Sequence, residues 1–272
     1  EYDSNTGLGF ATNTSGTSND QLLNIENIIG SEHNDNITGN LSDNHLFGAS
    51  GNDTIDGNMG DDTIEGGLGN DQLIGGEGTD SLFGGNDGDT LIGGSGDDAL
   101  YGESGDDAIY GSEGNDTLIA DVGSDTLDGG TGIDTANYEY AGTNGVNVFL
   151  SDDTPENTTT GTANVIGSHD IDALKNIENV IGSAGNDHLA GNSSDNDLVG
   201  NAGNDILEGK EGNDTLTGNE GHDQFKFMRS ANTTTEVTDF NLDQDKLDFR
   251  DLSDLIHYTQ LVIKQVDNDA HI

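Results

Sequence analysis

Residues 66–101 read GGLGNDQLI, GGEGTDSLF, GGNDGDTLI and GGSGDDALY, four successive nonapeptides in which the same residue types return at the same places. Glycine opens each unit, aspartate stands sixth and leucine eighth. Working outward, the frame takes in GSEHNDNIT, GNLSDNHLF, GASGNDTID and GNMGDDTIE upstream, then GESGDDAIY, GSEGNDTLI, ADVGSDTLD and GGTGIDTAN downstream. Twelve units thus run from Gly30 to Asn137 without an insertion. Position 1 departs from glycine at Ala120, and position 6 departs from aspartate at Asn44. Position 8 is apolar throughout: Ile37, Leu46, Ile55, Ile64, Leu73, Leu82, Leu91, Leu100, Ile109, Leu118, Leu127 and Ala136.

Composition alone points elsewhere. The 272 residues carry 53 Asp and Glu against 7 Lys and Arg, a formal net charge of −46, and 30% are hydrophobic. That balance is typical of chains too poor in apolar surface to fold. Three positions held in register over twelve units have no place in a disordered acidic tail, so the order of residues overrides their proportions. The first basic residue is Lys175. An acidic chain of this kind excludes nucleic acid and anionic lipid as partners, since both need a cationic face. With no Lys or Arg before Lys175, ion pairs are not expected in the first half. No apolar run nears the ~18 residues of a membrane span, so membrane insertion is not expected. Cysteine is absent, which removes disulfides and thiolate metal sites. The start at Glu1, without an initiator Met or an apolar leader, is read as a piece of a longer protein.

The period has a physical reading. Glycine allows positive φ, and Asn or Asp tolerates it, so the first six residues of a unit read as a turn. The last three read as a minimal strand whose middle side chain points inward. Two units close one coil of 18 residues. Stacked coils give an all-β fold, a parallel β-roll of two sheets meeting along the position-8 aliphatics, with aspartates in rows on both edges. Such rows of carboxylate require a cation.

The repeat resembles the GGxGxDxUx nonapeptide of RTX proteins, whose parallel β-roll binds Ca²⁺. Oxygen-only ligands suit Ca²⁺ over zinc or copper. The resemblance implies that each ion lies between a loop and the loop one coil later. The earlier loop gives the carbonyls of positions 2 and 4, the later one those of positions 1 and 3, and both give the position-6 aspartate. Carried over, one site comprises Ala49, Gly51 and Asp53 with Gly66, Leu68 and Asp71. A second has Gly76, Gly78 and Asp80 with Gly93, Ser95 and Asp98. A third has Gly94, Gly96 and Asp98 with Gly111, Glu113 and Asp116. The remaining position-6 ligands of the long block are Asp35, Asp62, Asp89, Asp107, Asp125 and Asp134. Ser42 with Asn44 should leave the site of the second unit weak or empty, and Asp87 in place of glycine should distort its loop. His33 also stands at a glycine position, and it is not read as a side-chain ligand.

A second copy follows. NIENIIGSEHNDNITGNLSDNHLFG (24–48) recurs as NIENVIGSAGNDHLAGNSSDNDLVG (176–200) with 16 of 25 positions identical. Five nonapeptides cover 182–226 and bring Asp187, Asp205, Asp214 and Asp223, with Asn196 again in the second unit. The implied carbonyl ligands named there are Gly203, Gly218 and Glu220. Both blocks together allow up to about 13 Ca²⁺ by the repeat frame. The expected divisions are 1–29 as a cap or linker, 30–137 as the first roll, 138–181 as an inter-block β segment and loop, 182–226 as the second roll, and 227–272 as a C-terminal cap. In the inter-block segment Val146, Val148 and Leu150 would share one strand face, followed by a loop at Pro155. Leu261, Val262, Ile263 and Val266 read as another strand. TTTEVTDFNLDQDKLDFRDL (233–252) resembles the end region of RTX proteins exported by type I secretion.

Catalysis finds no support: HExxH and GxSxG are absent, and acidic pairs such as Asp61-Asp62 and Asp97-Asp98 read as a loop ligand beside a solvated neighbour. Position 9 carries Ile74, Phe83, Ile92, Tyr101, Tyr110 and Ile119 in consecutive units. They form either ordinary strand exteriors or a flat face for a glycan or a neighbouring module. No threonine ladder of an ice-binding face is present. The resemblance therefore implies a non-catalytic Ca²⁺-binding module of a large extracellular adhesin, folding on Ca²⁺ after passing the type I secretion machinery. Alternatives are the tail of a secreted protease, lipase or alginate epimerase, and a polysaccharide-binding roll.

Overall fold

The computed structural model of the protein describes residues 9–13, 20–22, 25–152, 160–228 and 234–250. Pro155 and the expected strand around Leu261–Val266 lie outside them. The architecture is all-β and is the parallel β-roll that the repeat implies, with one short 3₁₀ turn at Glu139–Ala141. The chain divides into two compact units: Glu1–Asn137 with Asp170–Ile177, and Tyr138–His169 with Glu178–Ile272. The segment 138–181 is therefore shared between them.

In the first unit one sheet stacks Asp35–Thr38, Thr54–Met59, Gln72–Glu77, Thr90–Ser95, Ala108–Glu113, Thr126–Thr131 and Asp172–Lys175. The other stacks Asn27–Ile29, His45–Ser50, Thr63–Leu68, Ser81–Asn86, Ala99–Ser104, Thr117–Ile119 and Thr135–Asn137. Within the contiguous repeats, partners are 18 residues apart, so Leu91 pairs with Leu73 on one side and Ile109 on the other. This register lays every position-8 side chain on its counterpart, and Leu46 through Leu127 are fully buried. Each buried aliphatic contributes about 1.5–3 kcal/mol, and with one row from each sheet the core is thin. Gly9–Asn13 closes one end of the first sheet, antiparallel to Asp35–Thr38 and to Asp20–Leu22.

Three expectations are corrected. The strand is longer than three residues in most of the first block. It runs from position 7 through position 3 of the next unit, as in Thr90–Ser95, because backbone pairing continues past the leading glycine. The ladder skips position 1: Ile92 pairs with Tyr110, then Gly94 with Ser112. Asp87 does not break its loop. It takes φ +75, the left-handed region that aspartate tolerates, and Ser81–Asn86 stays paired on both sides. Nor is the first half without ion pairs, because Lys175 folds back to Asp128 at 2.6 Å.

In the second unit Val146–Phe149 pairs antiparallel with Gly161–Val165 and parallel with His188–Ala190. Ile206–Glu208, Gln224–Lys226 and Lys246–Asp248 extend that sheet. Val146, Val148 and Leu150 are buried together as their alternation predicts. Asn179–Ile181, Asp197–Val199, Asp214–Thr217 and Thr235–Val237 form the opposite sheet. Phe225 fills the core and meets Phe240 edge-on, so the TDF and DKLDF stretches pack on the last coils.

Candidate metal-ion sites

The position-6 aspartates form two rows. All fifteen named from the sequence are buried, at 8% exposure or less. In most units the aspartate lies two places past a left-handed position 4 and immediately before the strand, at the edge of the roll. Coil-to-coil bonds take up most of their polar groups. The Asp53 amide donates to Asp71 Oδ1 at 2.7 Å, and the same bond recurs from Asp80 to Asp98 at 2.8 Å and from Asp98 to Asp116 at 2.8 Å. The Asp98 carbonyl accepts from the Thr117 amide at 2.8 Å.

One atom is left over. The Oδ2 oxygens of Asp53, Asp62, Asp71, Asp80, Asp89, Asp98, Asp107, Asp116, Asp125, Asp205, Asp214 and Asp223 are buried without a hydrogen-bond partner. An unsatisfied buried carboxylate oxygen is costly, by several kcal/mol for a full charge in apolar surroundings. The structure also shows where these atoms aim. A Cβ added at Gly48 would fall under 3.0 Å from both Asp53 Oδ2 and the Gly66 carbonyl oxygen. The same cradle recurs at Gly75 with Asp80 and Gly93, and at Gly93 with Asp98 and Gly111. Carboxylate and carbonyl oxygens from successive coils thus face one small space, and glycine is needed at position 1 because any side chain would fill it. Hard, anionic oxygen donors of this kind fit Ca²⁺.

The remaining implied ligands sort by position. The position-3 carbonyls of Leu68, Ser95, Glu113 and Glu220 accept from the amides of Gly51, Gly78, Gly96 and Gly203, at 2.8–2.9 Å. The carbonyls of Ala49, Gly51, Gly76, Gly78, Gly96 and Gly203 lie against the glycine of the next coil, under 3.0 Å from its missing Cβ. The Gly94 carbonyl belongs to the same row as Gly76 by register. The atoms nearest an added Cβ on Gly200 all belong to Asp205, and those nearest one on Gly218 belong to Asp223. At Gly102 the nearest atoms are Asp107 Oδ2, at 2.5 Å, and Ile109 Cδ1, at 3.1 Å.

The first two units of each block differ. Asp35 Oδ2 accepts from the Ser31 amide at 2.6 Å and from its hydroxyl at 2.9 Å. Asp187 Oδ2 accepts from the Ser183 amide at 2.7 Å, and Asn44 and Asn196 accept from Asn40 and Asn192 in the same way. These loops close on themselves, so Asp35 and Asp187 do not present the orphaned oxygen found in later units.

Position 5 was missed by sequence reasoning. Its side-chain oxygen accepts from the position-5 amide one coil later: Asp61 from Thr79 at 2.9 Å, Asp97 from Asn115 at 2.8 Å, Asn52 from Asn70 at 3.3 Å. Asp61 and Asp97 are therefore coil-to-coil struts and not merely solvated neighbours. A recurrent Asn or Asp at position 5 was the available signal.

Burial is the main cause of raised carboxyl pKa values along the rows. It pushes Asp62, Asp89, Asp98 and Asp125 up to about 7 and Asp205 up to about 8, with neighbouring carboxylates adding to the effect. Asp71, Asp80, Asp107 and Asp214 are raised to about 6. Ionising them together calls for positive charge within the cradle.

The outward position-9 residues fall on opposite sheets. Ile74, Ile92 and Tyr110 are paired in one row, and Phe83, Tyr101 and Ile119 in the other, where Phe83 and Tyr101 stack at 4.7 Å. Ile119 is buried, whereas Tyr110 is exposed.

A family model described as RTX calcium-binding nonapeptide repeat matches residues 29–64, 56–91, 74–109, 83–118, 101–136, 176–207 and 199–226, more than half of the chain. No curated protein matches it.

Proposed function

The chain belongs to the RTX calcium-binding nonapeptide repeat family, whose repeats bind multiple Ca²⁺ ions, and from that premise we propose that it is a non-catalytic module whose fold depends on the metal. The buried, unpartnered Oδ2 atoms of the position-6 aspartates carry this reading. From the third unit of each block onward, those oxygens and the backbone carbonyls facing them hold the ions. The self-closed loops of Asp35, Asn44, Asp187 and Asn196 start each block without one. Where Ca²⁺ is scarce the rows of carboxylate repel, and a thin core does not offset chain entropy. Where it is abundant, binding free energy becomes folding free energy.

The module serves a large extracellular adhesin that leaves the cell by type I secretion, unfolded in the cytosol and folded outside. RTX repeats occur in secreted proteins, and the DKLDF-like stretch pairs on the last coil in keeping with a terminal cap. Among the described residues no helix is long and apolar enough to cross a membrane. A second reading, a roll that also binds a neutral glycan, is favoured by the stacked Phe83 and Tyr101 beside a shallow groove lined by Phe47, Glu65 and Glu103.

Circular dichroism of the chain during Ca²⁺ titration tests the main reading. A transition from disordered to β signal is expected, and β signal unchanged in excess chelator overturns it.

A further inference from the structure

On the sheet of the first unit that runs from Asn27–Ile29 to Thr135–Asn137, the outward row at position 9 includes Phe47, Glu65, Phe83 and Tyr101, each paired with the next. Glu65 therefore interrupts a line of rings. Successive coils lie about 4.8 Å apart, which sets Phe47 and Phe83 about 9.6 Å apart along the row. A planar group between two rings takes about 3.5 Å on each side, or about 7 Å in all, so the gap at Glu65 admits one. Phe83 already stacks on Tyr101, with centroids 4.7 Å apart and planes 11° from parallel. Its ring is thus set across the row, one face on Tyr101 and the other turned toward the gap.

The gap is acidic at its base and open to one side. His45, at position 7, donates its Nε2–H to Glu65 Oε1 at 2.9 Å, drawing the carboxylate toward the position-7 row and out of the line between the rings. Glu65 makes no other side-chain hydrogen bond among the described residues. On the far side the position-2 column reads Ala49, Gly67, Gly85 and Glu103. A trough without long side chains therefore runs beside the rings and ends at a second carboxylate. Phe47, Glu65, Gly67, Phe83 and Glu103 line this one groove. Among the described residues the ion pairs of Lys and Arg go to Asp128 and Asp248, so neither glutamate has a basic side chain on it.

Charge and shape together select an occupant. A carboxylate between ring faces attracts a cation, and the field of a chain at −46 adds to the attraction. Guanidinium is planar, stacks on rings and pairs a carboxylate through two N–H groups, whereas an ammonium is a compact, strongly hydrated point charge. Free arginine brings a carboxylate of its own, which Glu103 and the acidic face repel; an arginine within a chain does not. We propose that the gap between Phe47 and Phe83 is a slot for an arginine side chain of a partner protein, with Glu65 as its counter-ion and Glu103 favouring further positive charge beside it. A neutral glycan would lie on the Phe83–Tyr101 pair and make no use of the charge on Glu65.

The probe is a capped glycine–serine peptide with one central arginine. It is titrated into the isotope-labelled full chain in Ca²⁺ and followed by the Gly67 and Gly85 amide resonances. The peptide is expected to shift both amides saturably, and its citrulline analogue, planar but uncharged, to bind about tenfold more weakly. Glu65→Gln should weaken the arginine peptide by a similar factor, as should Phe83→Leu, which keeps an apolar side chain and loses the ring. Glu236→Gln removes one charge from an exposed strand position of the other unit and should bind as the wild type does. Circular dichroism in Ca²⁺ verifies that each variant retains the β signal. Should Phe83→Leu lose the fold, the half-exposed Glu65 decides the matter through Glu65→Gln. Amides unmoved by the arginine peptide overturn the assignment, as do equal affinities for the arginine and citrulline peptides. Equal losses in Glu65→Gln and Glu236→Gln would reduce the binding to unspecific charge attraction and overturn it too. Free arginine binding as tightly as the capped peptide, or a neutral oligosaccharide such as cellohexaose moving the amides where the peptide does not, overturns the choice of partner.

Discussion

Asp98 sits mid-row in the first block, and replacing it by asparagine separates its two roles. Its Oδ1 accepts from the Asp80 amide at 2.8 Å, a bond that asparagine keeps. Its Oδ2 is buried without a partner and shares a cradle with the Gly111 carbonyl, and that charge asparagine loses. In the family frame Asp98 belongs to two ions, one toward Asp80 and one toward Asp116. A site with Kd of about 10⁻⁴–10⁻³ M, in about 10 mM Ca²⁺, contributes about 1.4–2.7 kcal/mol. Losing two such sites removes about 3–5 kcal/mol, which at about 2–4 °C per kcal/mol lowers the melting temperature by about 6–20 °C. Asp61→Asn is the matched control, since Asp61 is a position-5 strut whose Oδ1 holds the Thr79 amide and whose charge faces solvent. Thermal melts followed by circular dichroism across a Ca²⁺ series should show the Asp98→Asn deficit widening as Ca²⁺ rises, with Asp61→Asn tracking the wild type. Equal, Ca²⁺-independent losses in the two variants would refute the role given to Oδ2.

Chelating Ca²⁺ near neutral pH should abolish most of the β signal, and restoring the ion should return it; heat-stable β structure in chelator would count against metal-coupled folding. The pH dependence in chelator has a definite sign. With Asp62, Asp89, Asp98 and Asp125 titrating at about 7 in the folded coil against an ordinary 3.8, the folded form binds more protons between those values. Metal-free stability should therefore grow as pH falls from about 8 to about 5 and be lost as it rises through about 7, which a chelator-buffered titration by circular dichroism checks. Gly75→Ala should weaken Ca²⁺ binding and lower the melting temperature, because the new Cβ would lie under 3.0 Å from Asp80 Oδ2 and the Gly93 carbonyl. Backbone cannot swing aside as a flexible side chain can, so an alanine variant with wild-type Ca²⁺ affinity by calorimetry would contradict the cradle.

Much of the roll was legible because its core and edge each depend on one strictly repeated position. Leu73 over Leu91 and Asp80 over Asp98 follow from an 18-residue coil, and no tertiary detail is needed to place them. The self-closed first loops were not legible by composition. Ser31 and Asn40 at position 2 bond back to position 6, yet Asn58 and Ser112 occupy the same position with φ +76 and +89 and leave their aspartates orphaned. Position 2 alone therefore does not distinguish the two loop forms. Asp172 escaped for a different reason. Its strand, paired to Thr126–Asp128, is reached only after residues 138–166, so a search for contiguous period loses it.

These features bear on how so acidic a chain folds at all. Among the described residues two ion pairs of Lys or Arg are present, Lys175–Asp128 and Arg250–Asp248, and they lie at the ends of their rolls. Exposed pairs of that kind contribute little, so they do not offset the buried aspartate rows. Side-chain cations are also the wrong shape for the cradle, since a guanidinium or ammonium brings a long stem and the space beside position 1 is too small for a methyl group. A small divalent ion is the species that fits both the charge and the volume. Glycine at position 1 and aspartate at position 6 are thus two halves of one requirement, and the one break in the glycine column of the first block, Ala120, opens the unit of Asp125.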